Sequence, residues 1–184
     1  MVSPSGDGGA EIAAVIAPLL RPVPDFPEPG VLFQDITPLL ADGTALHRVV
    51  VELGNAARQS GQVDLVAGVE ARGFLVAAAL ACELGVGVVP VRKAGKLPPP
   101  TVRRSYTLEY GTAEIEVPTG ILAGRRVYLV DDVLATGGTL RASVDLLTEA
   151  GAEVVGIGII VELAFLAGRS RLDGLPALRS LLIL

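Results

Sequence analysis

Asp131 and Asp132 stand side by side after the apolar run Val127-Tyr128-Leu129-Val130, and Val133-Leu134 leads on into Ala135-Thr136-Gly137-Gly138-Thr139. In that order the residue types read as a buried strand ending in paired acceptors, a turn of small residues, and a helix over 138–150 whose Leu140, Val144 and Leu147 share one face. Gly137 and Gly138 let backbone N–H groups come close to an anion, the hydroxyls of Thr136 and Thr139 add donors, and the helix N-terminus adds positive potential. The pattern predicts a cradle for a monophosphate. It lacks the Lys of a nucleoside triphosphate loop, and its spacing does not fit the dinucleotide fingerprint. Two acceptor-only carboxylates beside such a cradle suit neighbouring sugar hydroxyls, so the predicted ligand is a ribose 5-phosphate.

These residues need a framework to hold them, and the flanking sequence predicts one. Apolar runs at 63–69, 86–91, 127–130 and 154–161 alternate with helical patterns at 73–84 and 138–150. Short apolar runs separated by helices imply an α/β fold with a doubly wound, mainly parallel sheet covered by helices on both faces. In such sheets ligands bind beyond the carboxyl ends of the strands, which is where the small-residue turn falls. Between the two halves lies an insertion. Residues 92–104 contain Pro98-Pro99-Pro100 and read as a loop, and 106–110 with 113–117 read as a flexible hairpin. The alternation Glu114-Ile115-Glu116-Val117 predicts a half-exposed antiparallel ribbon.

Nearer the N-terminus, residues 1–9 are rich in Ser, Gly and Pro and predict a disordered lead before a short amphipathic helix over 10–20. Pro22, Pro24, Pro27 and Pro29 exclude a helix and predict an extended loop. A short strand or loop follows at 31–33, and a helix at 45–59 carries Leu46, Val49, Val50 and Leu53 on one face. The final Leu181-Leu182-Ile183-Leu184 suits a strand or a subunit contact.

The chain of 184 residues, half of them hydrophobic, has the length of one domain, 1–184. A net charge of -5 argues against a nucleic-acid partner. Within 91–108, however, Arg92, Lys93, Lys96, Arg103 and Arg104 occur with no carboxylate, which predicts a small polyanion met at one place. The single Cys82 excludes an internal disulfide and is expected to be a buried apolar residue of a helix. His47 is expected to be structural or exposed. No segment has the length of a membrane span and no leader pattern is present, so the expected compartment is the cytoplasm with no membrane partner.

The 13-residue pattern at 127–139 closely resembles the phosphoribosyl diphosphate signature of the type I phosphoribosyltransferases. Other segments are similar to the adenine phosphoribosyltransferases among them: Pro24-Asp25-Phe26-Pro27 with Asp35-Ile36-Thr37-Pro38, Gly68-Val69-Glu70-Ala71-Arg72-Gly73-Phe74, and Val91-Arg92-Lys93 with Lys96-Leu97-Pro98. Tyr106-Thr107-Leu108-Glu109-Tyr110-Gly111, Glu162-Leu163 and Gly168-Arg169 extend the likeness, in order and spacing, over about 10–172. Gln34, where the family often has a basic residue, and Pro99, where Gly is common, are departures.

The resemblance implies the type I phosphoribosyltransferase fold, with a small N-terminal hood at 10–40 that helps recognise the base and a closing loop and hairpin at 92–118. It also implies conversion of adenine and 5-phosphoribosyl 1-diphosphate to AMP and diphosphate. Asp131 and Asp132 would hold the ribose, and Ala135, Thr136, Gly137, Gly138 and Thr139 its phosphate. Glu70, Ala71 and Arg72 would receive the diphosphate, with the Glu70–Ala71 peptide in the cis form, and Arg92, Lys93 and Lys96 would meet the diphosphate and its magnesium. Mg2+ would be held through the substrate rather than by direct protein ligands. Phe33 would stack on adenine, the carbonyl of Leu32 and the N–H of Gln34 would read its edge, and Leu163 would lie on its other face. Glu109, at the hairpin tip, would be catalytic with Asp131 and Asp132, either through a protonated hydrogen bond to a ring nitrogen or in proton removal. Arg103 and Arg104 are assigned to the solvated surface. A homodimer is implied, in which a neighbouring subunit supplies some diphosphate contacts. The competing readings are transfer to xanthine, guanine or hypoxanthine, and a non-catalytic regulator sensing purine or phosphoribosyl diphosphate, which would need a further partner domain.

Overall fold

The computed structural model describes residues 6–108 and 111–184. Helix α1 (Gly6–Ile16) precedes β1 (Arg21–Pro24), β2 (Leu32–Asp35), α2 (Thr37–Ala41) and α3 (Gly43–Gln59). Next come β3 (Leu65–Val69), α4 (Arg72–Leu84), β4 (Gly87–Lys93) and the hairpin of β5 (Thr101–Leu108) and β6 (Gly111–Pro118). The chain continues through β7 (Arg126–Leu134), α5 (Gly138–Glu149), β8 (Glu153–Glu162) and β9 (Leu178–Ile183).

Seven strands form one sheet in the order β5-β6-β4-β3-β7-β8-β9. The ladders joining β4, β3, β7, β8 and β9 are parallel, whereas β6 runs antiparallel to both β4 and β5. The alternation of side chains along each strand divides the core in two. Ala67, Leu129, Ile157 and Ile159 meet Leu140, Val144 and Leu147 of α5 on one face. Val66, Tyr128, Val130 and Ile160 meet the helices α1, α3 and α4 on the other, through Ile16, Val49, Leu53, Val76 and Leu80. Both faces are therefore buried, which is why the central strands read as continuous apolar runs.

Several elements differ from the sequence expectation. Helix α1 starts at Gly6 rather than near residue 10, because a helix anchored by buried Ile12 and Ile16 propagates backward at small cost per residue. The Pro-rich stretch is extended as expected, but Arg21–Pro24 pairs as a strand with β2 instead of forming a loop. Helix α2 is an addition, and Asp42 after it caps α3 by accepting from the amides of Thr44 and Ala45, both at 3.0 Å. The hairpin is not a separate insertion. It joins the main sheet through Arg92↔Glu116 and Lys93↔Ile115, since β4 runs two residues further than the apolar pattern showed. Cys82, expected to be buried, is exposed, because it falls outside the α4 stripe of Val76, Ala77, Leu80 and Ala81. His47 is also exposed.

Candidate active site

Strand β7 does not end at its carboxylates. It continues through Asp131 and Asp132 to Leu134, because β8 keeps pairing at Val133↔Val161 and Leu134↔Glu162. Both acids are thereby held at buried positions inside the sheet. Asp131 Oδ1 accepts the Asp132 N–H at 2.9 Å. Burial, and then the neighbouring Asp132 carboxylate, push the Asp131 carboxyl well above the usual carboxylate range. Asp132 Oδ2 lies 2.5 Å from Arg72 Nε, yet this buried oxygen has no aligned hydrogen-bond donor among the described residues. A buried acceptor paired by charge but without an aligned donor is complemented by a ligand hydroxyl.

Beyond Leu134 the turn enters α5 at Gly137, whose φ of +80° is left-handed and suits glycine. Residues Asp131 and 133–140 line a cavity of about 80 Å³ at this turn. A wider groove of about 830 Å³ runs along the outer face of α5, past Arg104, Arg141 and Leu175, and shares no residue with the turn. The turn is braced from behind by Gly168. A Cβ on Gly168 would stand 2.0 Å from the carbonyl oxygen of Ala135, and one on Gly137 would stand 2.4 Å from that of Gly168. Two backbones thus pack together with no room for a side chain between them.

The segment carrying Gly168 is fixed by charge. Glu162, nearly buried at the end of β8, accepts from Arg169 Nε at 2.9 Å, from Arg169 Nη2, and from Ser180 Oγ at 2.6 Å. Burial alone would raise the Glu162 pKa, but the hydrogen bonds from Arg169 and Ser180 outweigh it and hold the group below its ordinary value. Between the partners, Leu163 is buried and donates its N–H to Leu134 O at 2.9 Å.

The hood reaches the same end of the sheet. The Arg72 guanidinium covers the Phe33 ring at 4.6 Å, and Phe26 meets that ring edge-on at 5.1 Å. The alternation of prolines on β1 sets the backbone pattern of β2. Pro22 faces Gln34 and Pro24 faces Leu32 in the register, and neither proline has an N–H to donate. The exchanged hydrogen bonds therefore fall at Arg21↔Asp35 and Val23↔Phe33, and the carbonyl of Leu32 and the N–H of Gln34 point away from β1. Asp35 anchors this ribbon, accepting from Thr37 N at 2.9 Å, Thr37 Oγ1 at 2.5 Å and Arg21 Nε at 3.0 Å.

On the far side of Arg72, the Glu70–Ala71 peptide is cis. Glu70 Oε2 accepts the Lys93 N–H at 2.9 Å and lies 3.3 Å from Arg92 Nε. Its burial acts to raise its pKa, and the Lys93 amide and Arg92 bring it below the ordinary value. Lys93 and Lys96 are exposed. Strand β5 lies against α5, and the hydroxyls of Tyr106 and Thr139 are 3.2 Å apart. Glu109 lies outside the described residues.

The chain matches the phosphoribosyl transferase domain family over residues 39–173. An adenine phosphoribosyltransferase of Clavibacter michiganensis is 60% identical over 161 residues, covering 87% of this chain and 90% of that protein. The chain belongs to the adenine phosphoribosyltransferase family. It is accordingly an enzyme of the pentosyltransferase class. A second member, from Mycolicibacterium gilvum, is 56% identical over 93% of this chain and 95% of its own length. The fold agrees with a crystal structure of the family from Thermoanaerobacter pseudethanolicus, with a TM-score of 0.88 and 46% identity over 94% of this chain and 99% of that one. The Saccharomyces cerevisiae member, crystallised with adenine and an imino-altritol bisphosphate, has a TM-score of 0.85 and 37% identity, with 94% and 99% covered.

Four features of this adenine phosphoribosyltransferase family member escape a reading of the sequence. The Tyr106–Thr139 contact links residues 33 apart, and the pairing of Glu162 with Arg169 depends on a turn that only the fold defines. Glu116 is fully buried rather than half-exposed, because the preceding loop folds over it. Arg103 and Arg104 form ion pairs, with Glu116 and with Asp145 and Glu149 respectively.

Proposed function

We propose that this chain joins adenine to the 5-phosphoribosyl group of phosphoribosyl diphosphate, giving AMP and releasing diphosphate. The observation that carries the reading is the buried Asp132 Oδ2, ion-paired with Arg72 yet with no aligned hydrogen-bond donor among the described residues, next to the Arg72–Phe33 pair. The amides and hydroxyls of residues 135–139 hold the 5-phosphate, and Asp131 and Asp132 accept from the ribose hydroxyls. Arg72, Arg92, Lys93 and Lys96, with the Glu70–Ala71 loop, take the diphosphate.

Adenine stacks on Phe33 with Leu163 on its other face. The Leu32 carbonyl accepts from its exocyclic amine, and the Gln34 N–H donates to a ring nitrogen. The outward direction of these two groups supports the choice of adenine, because a carbonyl there would face the oxygen of hypoxanthine or guanine.

In the reaction the bond from the anomeric carbon to diphosphate breaks, a bond to the ring nitrogen of adenine forms, and the proton of that nitrogen is lost. Positive charge develops on the ribose, so catalysis by the chain is positional and electrostatic. Glu109 serves the base, as a hydrogen-bond partner or as proton acceptor. Magnesium is held through phosphoribosyl diphosphate rather than by direct protein ligands. Bound there, it neutralises charge on the leaving diphosphate. The hood at 10–40 and the closing hairpin at 92–118 cover the site. The family resemblance supports a homodimer. The cytoplasm is the proposed compartment; no described helix is long and apolar enough to cross a membrane.

The test is conversion of adenine with magnesium and phosphoribosyl diphosphate, repeated with Asp132→Ala and Glu109→Ala and with hypoxanthine and guanine as bases. Near-total loss is expected for the first variant, a large fall in turnover for the second, and little conversion of the oxo-purines. Unchanged rates in both variants would refute the site assignment.

A further inference from the structure

Glu116 lies on β6 with no solvent exposure, and among the described residues its hydrogen-bond donors come from the loop after β4 and from the start of β5. Its Oε1 accepts from two consecutive amides, Lys96 at 2.7 Å and Leu97 at 2.8 Å. Its Oε2 accepts from Thr101 Oγ1 at 3.2 Å and Arg103 Nε at 3.0 Å. Gly95, at φ +80°, makes the turn that aims the two amides inward. The other end of the Lys96 residue is held as well, since Arg92 Nη1 donates to the Lys96 carbonyl at 3.0 Å, and Arg92 is in turn tied to Glu70.

A buried carboxylate is tolerated only when its acceptor sites are filled, and here the loop and β5 fill them. The consequence is that the Lys96 backbone is gripped on both sides while its ammonium group stays in solvent. We infer that Glu116 is a positioning residue for diphosphate binding, tying the 94–100 loop to β5 and β6 so that Lys96 is presented to the leaving group with little conformational freedom left to lose. This inference rests on the assignment of Lys96 to the diphosphate.

Initial rates of the full chain, with each substrate varied in turn, test it for the parent protein, Glu116→Gln, Lys96→Ala and the double variant. Glutamine keeps the volume but turns an N–H2 toward Thr101 and Arg103. The expected result for Glu116→Gln is a rise of about tenfold in KM for phosphoribosyl diphosphate, with KM for adenine within about twofold. In the Lys96→Ala background the same change is expected to add less than about twofold. Gly95→Ala, which disfavours the φ of +80° from the loop side and leaves β6 intact, should give the same selective rise, and it decides the matter if Glu116→Gln does not fold.

Equal losses for both substrates, or a full penalty retained without Lys96, would overturn the inference and leave Glu116 a packing residue. If Lys96→Ala weakens the donor but neither Glu116→Gln nor Gly95→Ala does, the inference alone fails. If Lys96→Ala has no effect on the donor, the diphosphate assignment fails and the inference with it.

Discussion

Arg72 Nε stands 2.5 Å from Asp132 Oδ2 while the same guanidinium lies 4.6 Å from the centre of the Phe33 ring. One cation therefore links the proposed sugar acceptor to the proposed stacking surface. Replacing Arg72 by Ala strands a buried carboxylate and should cost about 1–2 kcal/mol, below the value for a fully buried pair because Arg72 is partly exposed. In Arg72→Ala/Asp132→Ala the penalty should be smaller than the sum of the single changes. Denaturant unfolding of the four proteins measures this coupling, and additive losses would show that the contact stabilises nothing.

Gly168 and the phosphate turn meet backbone to backbone. The Cβ introduced by Gly168→Ala would fall 2.0 Å from the Ala135 carbonyl oxygen, so one of the two segments must move. A destabilisation of about 1–3 kcal/mol is expected, as for other overpacked sites. Because the displaced segment is the cradle, AMP affinity measured by calorimetry should fall by more than tenfold, roughly 1.4 kcal/mol or more. Intact affinity would mean that the turn is not the phosphate site.

Asp131 is an acid whose burial costs stability at neutral pH. Asp131→Asn keeps an oxygen to accept the Asp132 N–H and removes the charge, so the ligand-free variant should melt about 2–4 °C higher, equivalent to about 1 kcal/mol. The same variant should lose most of its turnover. A lower melting temperature would show that the carboxylate is stabilising where it stands.

Much of this site was legible in the residues from Val127 to Thr139, because a buried strand followed by a small-residue turn depends on local chemistry. The paired acids were read correctly as neighbours, but the end of their strand was not, since it depends on how far β8 extends beside it. Cys82 and Glu116 were misread for related reasons. A helix residue one step off the apolar stripe faces out, and a glutamate in an alternating strand is buried when a loop supplies two amides and the neighbouring strand two side-chain donors. The direction of the Leu32 and Gln34 backbone groups needed both Pro22 and Pro24 and the register that pairs them with β2, and only the last was hidden from the sequence.

The response to acid follows from the carboxylates held below their ordinary values. Thr37 does this for Asp35 and Arg126 for Asp64, from an ordinary value of 3.8, while Arg169 and Ser180 overcome burial at Glu162, from 4.5. Each adds stability that is present above its unfolded value and lost as the pH falls through the lower folded value. Asp131, shifted upward, acts in the opposite sense: its contribution is present at low pH and lost as the pH rises through its folded value. Glu70 and Glu116 are lowered as well, so among the described residues five acids stand against this one, and the melting temperature should fall between about pH 5 and about pH 3. In Glu162→Gln the fall should be shallower, and an identical pH profile would exclude Glu162 as a contributor.

The central claim concerns where a nucleotide product sits. A crystal structure of the chain with AMP should show the 5′-phosphate on the amides of residues 136–139, the ribose hydroxyls on Asp131 and Asp132, and the base against Phe33. AMP bound elsewhere, with this turn vacant and no ribose hydroxyl on Asp131 or Asp132, would contradict it.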